Sequence, residues 1–214
     1  VLRDGNFGKS PFGGGGPGGQ LSLLEVAFDQ ECRDFACPFV LSVDRLFYQF
    51  PIGANFTATF GARVEQDDML AQAPSVYPDD TLLNLMTLAG APGAYNKNLG
   101  SGAGLWWKGG AWSLSANYVA YYGDISDPSL GGIGTAGSNG AGTLQLGYSQ
   151  EAWGLAAIYS WVQGGFAITG ATPQASLAFT DGSHTNAFGL SGFWQPSANG
   201  WIPSISAGWG LNST

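Results

Sequence analysis

Three observations predict an all-β chain folded as an antiparallel transmembrane β-barrel. Apolar residues recur at every second position, tight turns alternate with long connections, and aromatic residues gather near the strand ends. Composition agrees. Of 214 residues 35 are Gly, aromatics make up 14%, charged residues only 10%, and the formal net charge is −8. Such a chain is too aromatic and too poor in charge for disorder, and its glycines follow no three-residue period. No Lys or Arg follows Lys108, so there is no basic face to meet phosphates, and nucleic acid is excluded as a partner. No apolar run is long enough for a transmembrane helix. The start, Val1-Leu2-Arg3-Asp4, lacks the basic and apolar stretches of a signal peptide, which leaves a mature form, an internal fragment or a cytosolic chain.

The elements follow in order. A partial strand over residues 1–7 precedes a Gly-rich flexible connection at 13–19 and a strand at 21–28. Cys32 and Cys37 stand five apart in the loop-like stretch Asp29 to Pro38. They are a candidate small-loop disulfide, with two unpaired thiols as the alternative; a metal site is disfavoured because the single histidine, His184, is distant. Strands follow at 39–50 and 55–65, the second with Phe56, Ala58, Phe60, Ala62 and Val64 on one face. A long connection over 66–100 contains Pro78-Asp79-Asp80-Thr81 leading into Leu82, Leu83, Leu85, Met86 and Leu88 before Gly90. Acids in a first turn and glycine after the last apolar residue predict a short helix, placed either as a plug in the barrel or on its outer rim. Further strands are expected at 101–108, 112–122, 143–150, 153–162, 185–195 and 201–210, about ten in all.

The strand faces differ in a way that favours lipid over water. In 112–122, Trp112, Leu114, Ala116, Tyr118, Ala120 and Tyr122 alternate with Ser113, Ser115, Asn117, Val119 and Tyr121. A secreted β-sandwich that binds carbohydrate on exposed aromatics is the alternative, but its outer face should carry Lys and Glu, whereas here it carries Ser, Gly, Asn, Gln and Thr. Trp107, Trp112, Trp153, Trp194 and Trp201 flank the short turns, and Tyr122, Tyr159, Trp161 and Trp209 are expected near the opposite strand ends. Two aromatic belts around an apolar band are what a bilayer selects.

Catalytic signatures are weak. Gly132 to Gly137 and Gly13 to Gly18 each match G-x-G-x-x-G, but neither opens a helix after a strand, and such matches arise by chance in a chain this rich in glycine. No G-x-S-x-G or P-loop exists, nothing pairs His184 with a serine or acid, and Asp124-Ile125-Ser126-Asp127 reads as a solvated loop. The chain is expected not to be an enzyme and to need no cofactor.

A family resemblance enters at Asp44-Arg45-Leu46-Phe47-Tyr48-Gln49-Phe50-Pro51-Ile52-Gly53. This segment resembles a strand of cyanobacterial outer-membrane porins of the carbohydrate-selective, OprB-type group, several of which are described as iron-uptake porins. Similar matches follow at Gly61-Ala62-Arg63-Val64, Asp67-Asp68-Met69-Leu70, Leu88 to Lys97, Ser115 to Ala120, Trp194-Gln195-Pro196 and Gly200 to Ser206. Gln49 departs from the arginine frequent in the family, and the Cys32/Cys37 loop has no counterpart in its pattern. The resemblance implies that residues 1–214 belong to one barrel domain of about sixteen strands in the cell outer membrane. It also implies an N-terminal domain, not contained here, that grips cell-wall polymer. The permeants it implies are inorganic ions including iron species, or small sugars. Outer-membrane lipid and a homotrimeric assembly complete the expected partners.

Parity then places the candidate pore-lining residues. With Leu46, Tyr48 and Phe50 outward, Arg45 and Gln49 turn inward, as do Arg63 and Glu65 on the next strand. The long loop adds Asp67, Asp68, Asp79 and Asp80 against Lys97. Arg45 and Arg63 are expected to form a basic strip facing these acids across a constriction, where opposed charge sets the sign preference of a channel.

Overall fold

The computed structural model describes residues 43–76, 88–163, 184–196 and 203–213. Within them lie eight strands, β1 (Leu46–Ile52), β2 (Phe56–Glu65), β3 (Leu99–Gly109), β4 (Trp112–Ala120), β5 (Gly140–Ser149), β6 (Trp153–Gln163), β7 (His184–Trp194) and β8 (Ile205–Ser213). They form one antiparallel sheet in strict sequence order, open between β1 and β8 among the described residues. Eight strands are therefore seen rather than about ten. Those expected at 1–7 and 21–28 lie outside the described residues, as do Cys32, Cys37, Asp79 and Asp80. Of the expected helix only Leu88, Ala89 and Gly90 are described, and they form a turn. The helical content of the described residues is a single 3-10 turn, Asp67–Met69.

Connections alternate as the sequence predicts. Gly53 to Asn55, Gly110-Ala111, Gln150 to Ala152 and 195–204 join strands on one side, whereas 66–98, 121–139 and 164–183 join them on the other. Gly110 has φ +60°, the left-handed conformation that a two-residue hairpin between Gly109 and Trp112 demands. Pro51 stands within β1, opposite Thr57, instead of opening the turn. The last strand starts at Ile205, four residues later than expected, where it pairs with Trp194 of β7.

The two faces of the sheet are inverted relative to a water-soluble fold. Leu105, Leu114, Leu144, Leu146, Leu155, Phe188, Leu190 and Trp209 are all exposed, whereas Ser113, Ser115, Asn117, Thr143, Gln145, Ser160, Thr185 and Ser191 are all buried. Small polar residues line the interior and large apolar ones the outside. Near the short turns an aromatic row crosses the strands: Trp112 meets Tyr148 at 4.9 Å, Tyr148 meets Trp153 at 5.4 Å, and Trp153 pairs with Trp194. Towards the other end, Tyr159 meets Phe188 at 4.9 Å and Trp161 meets His184 at 6.1 Å. From Trp153 to Trp161 the strand rises by about 27 Å at the usual advance per residue.

One position departs from the expected parity, and one from the expected place along its strand. Val64 is fully buried with Met69 and Val119 instead of lying on the outer face with Phe60, because a bulge between Gly61 and Val64 turns the strand over. Trp209 pairs with Leu190 in the middle of β7 and is not at a strand end, a consequence of the late start of β8.

Candidate functional site

The polar face is covered by the described parts of the chain's own long loop, residues 66–76 and 88–98. Its bonds reach across the sheet. Gln49 of β1 donates to the Asp68 carbonyl (3.3 Å), and Asn117 of β4 donates to the Gln66 carbonyl (3.0 Å). The Ala71 amide donates to the Ser115 hydroxyl (2.8 Å), and Gln145 of β5 donates to the Gln72 carbonyl (2.9 Å). On β6, Ser160 donates to the Ala94 carbonyl (2.6 Å) and Gln72 donates to the Leu155 carbonyl (3.1 Å). Tyr95 and Ser191 of β7 share a hydroxyl bond at 3.0 Å, and Ser75 meets Ser206 of β8 at 3.2 Å.

Glycine makes this close approach possible. A Cβ on Gly104 would strike Met69, one on Gly189 would strike Ala91, and one on Gly208 would run into the Ala89 carbonyl. Gly208 and Gly210 let loop backbone lie directly on sheet backbone, whereas Gly104 and Gly189 make room for the side chains of Met69 and Ala91. Leu88, Ala89, Ala91, Ala94 and Tyr95 then pack with Ile158 and Ala187 into a small apolar core between loop and wall. Burial pushes the Tyr95 phenol above its ordinary pKa, although its bonds to Ser191 and Gln145 work the other way.

Charge collects at the loop's root. Arg45 contacts Asp44 (3.0 Å), Asp68 (2.9 Å) and Glu65, and Lys97 lies 3.9 Å from Asp67. Burial disfavours the Arg45 charge, but Glu65, Asp68, Asp44 and Asp67 outweigh it and hold its pKa above the ordinary guanidinium value. Asp68 also accepts from the Glu65 amide (2.9 Å), which ties the 3-10 turn to the end of β2. Gln49 donates to Thr59 (2.9 Å), and Arg63 donates to the Asp44 carbonyl (3.1 Å).

Seven of the sequence-derived candidates thus meet in one place: Arg45, Gln49, Arg63, Glu65, Asp67, Asp68 and Lys97. Their arrangement differs from the one expected. Arg45 is in direct contact with carboxylates instead of forming, with Arg63, a strip that faces them across a gap. The reason is the 3-10 turn, which brings Asp68 back against the strand pair within three residues of Glu65. Ser115, expected to face an open lumen, is 1% exposed beneath the loop.

Several residues that anchor the loop escaped the sequence reading. Gln66, Gln72, Tyr95 and Gln145 are all at most 8% exposed and all bridge loop and wall. The available signal was the polar half of the alternation, because Asn, Gln, Ser and Thr facing inward need partners. In the other long connection, 121–139, Asp127 accepts from the Ser129 hydroxyl (2.6 Å) and amide (2.9 Å), which lowers its pKa.

Searches against protein-family models, curated proteins and solved structures find no match to this chain.

Proposed function

We propose that the chain forms wall and inner loop of an outer-membrane β-barrel, a channel through which small hydrophilic solutes diffuse passively. The single observation that carries this reading is the inverted sheet: large apolar side chains exposed on one face, small polar ones buried on the other. In water, that much exposed apolar surface is unfavourable; against lipid it is the expected arrangement. The strand length of about 27 Å between Trp153 and Trp161 projects to about 19–22 Å along the membrane normal at the usual tilt of about 35–45°, a little short of the apolar band of about 25 Å that such barrels present between their aromatic girdles. A carbohydrate-binding sandwich would bury the apolar face under a second sheet, and the described residues form one sheet only.

Closure of the barrel follows from the same reasoning, since lipid does not tolerate the unpaired edges of β1 and β8. The permeant class, inorganic ions including iron species or small sugars, rests on the family resemblance of the Asp44 to Gly53 segment. The cluster at the loop's root supplies the selective field. It sets Asp44, Glu65, Asp67 and Asp68 against Arg45 and Lys97, with Arg63 alongside.

The test is conductance of the purified protein in planar bilayers, preceded by extraction that requires detergent. A salt gradient gives the sign preference, and Arg63→Glu is expected to move the reversal potential towards cations. Protein that stays in solution without detergent and leaves bilayers electrically silent would sink the proposal.

A further inference from the structure

The inner wall holds one charge that the loop's root does not balance. Lys108, the last basic residue of the chain, stands opposite Ser113, and Trp106 stands opposite Ser115. Residues opposed in an antiparallel pair share a face, and both serines are buried on the inner one, so Trp106 and Lys108 belong to the inner wall. Lys108 is exposed all the same, whereas Ser113 is 6% exposed beside Gln72. The described loop covers β4 at this level and leaves the end of β3 open.

The ammonium group has a seat there. Its Nζ lies 5.2 Å from the centre of the Trp106 ring, within reach of cation–π attraction. That contact draws the long side chain along the inner wall, away from the hairpin at Gly110. Among the described residues no carboxylate pairs with it. The one described acid on the short-turn side, Glu151, sits in the β5–β6 turn, four residues past Gly147, which is level with Lys108 two strands away.

The opposite end has the opposite balance. Six described acids, from Asp44 to Asp127, stand there against Arg45, Arg63 and Lys97. Glu65 of that end pairs with Leu99, nine residues before Lys108 on β3, so about 30 Å of strand separates the two charged levels. With a Debye length of about 8 Å at physiological salt, neither end cancels the field of the other.

We propose that Lys108 makes the short-turn mouth of the channel attractive to anions, opposite in sign to the long-loop mouth, so that the pore is electrically polar along its axis and passes current unequally in its two directions. This polarity rests on the channel proposed above. Fixed charge at a pore mouth raises the local concentration of its counter-ion. Cations gather at the long-loop end and anions at the short-turn end. One voltage polarity drives both inward and fills the pore with carriers; the other draws both out and empties it.

The test is single-channel current–voltage curves of the purified full chain in planar bilayers, with the same dilute salt on both sides, for the parent, Lys108→Arg and Lys108→Gln. Parent and Lys108→Arg should pass unequal currents at equal and opposite voltages. Lys108→Gln should conduct, lose most of that inequality, and shift its reversal potential towards cations in a salt gradient. Salt at 1 M, where the Debye length is about 3 Å, should flatten all three curves. A silent parent would sink the channel and its polarity together. A parent that conducts equally in both directions, a Lys108→Gln variant that keeps most of the inequality, or an inequality that survives 1 M salt would overturn the polarity and leave the channel standing.

Discussion

The root of loop 66–98 and the stretches 71–76 and 88–95 farther along it are held to the same sheet by different chemistry. At the root, Arg45 gathers Asp44, Glu65 and Asp68, and Lys97 approaches Asp67. Further along, over β4 to β8, hydroxyls, amides and glycine contacts attach the loop at Ser115, Gln145, Ser160, Ser191 and Gly208, and among the described residues no charged side chain takes part there. Charged contacts are screened by salt and shared with water, so they tune a field more than they fix a backbone. Buried neutral bonds against bare glycine are short-ranged and geometrically strict. Residues 71–76 and 88–95 carry the neutral anchor, and the charge of the described loop is gathered at its root.

The sharpest way to break this contrast is Ser115→Arg. Ser115 is 1% exposed and accepts from the Ala71 amide, so an arginine there must either bury an unpaired charge or expel the loop. A buried charge without a partner costs on the order of 3–5 kcal/mol, and expulsion is the cheaper outcome. Limited trypsin digestion should then cut after Lys97 much faster than in the parent; unchanged digestion would show that the loop is not anchored where we place it. Ala157→Arg probes the outer face instead. Ala157 shares that face with exposed Leu155, and an outward Arg near the bilayer midplane costs about 2–4 kcal/mol, so membrane assembly should fall. Normal assembly would argue against lipid on this face.

Gly208→Val should lower stability by about 1–3 kcal/mol, because its Cβ meets the Ala89 carbonyl and overpacked sites relax only in part. Thermal midpoints in detergent report this directly, and Gly53→Ala, where a Cβ has open space but φ is +65°, separates crowding from backbone strain. The smallest effect belongs to the root. Asp68 is partly exposed, so Asp68→Asn should cost at most about 1 kcal/mol. Its value lies in salt dependence: raising ionic strength should narrow the difference between Asp68→Asn and parent, and should leave that between Gly208→Val and parent unchanged. Equal salt dependence would erase the contrast between root and neutral anchor.

Most strands were legible because period-2 alternation is a local property. Strand bounds at β2, β3, β4 and β6 fall within two residues of those expected from the sequence. The misses share a cause. Val64 faces inward because of a bulge, and a bulge depends on how two strands match in register. The late start of β8 depends on pairing with Trp194, again a matter of the partner strand.

The candidate residues divide along the same line. Residue type, strand parity and loop position marked Arg45, Gln49, Arg63, Glu65, Asp67, Asp68 and Lys97, together with Asp79 and Asp80 outside the described residues, because charge is scarce in this chain and concentrated before residue 109. The bulge that turns Val64 inward shows that parity was not a sound guide for Arg63 and Glu65. Whether opposite charges face each other across water or touch was decided by the 3-10 turn at Asp67–Met69, which swings Asp68 onto Arg45. Sequence alone likewise determined that one sheet face is apolar and the other polar. Only the tertiary structure decided that residues 66–76 and 88–98 lie over the polar face. That cover needs glycines and amides from strands far apart in the chain to arrive at matching heights, and contacts of that kind leave no local periodicity to read.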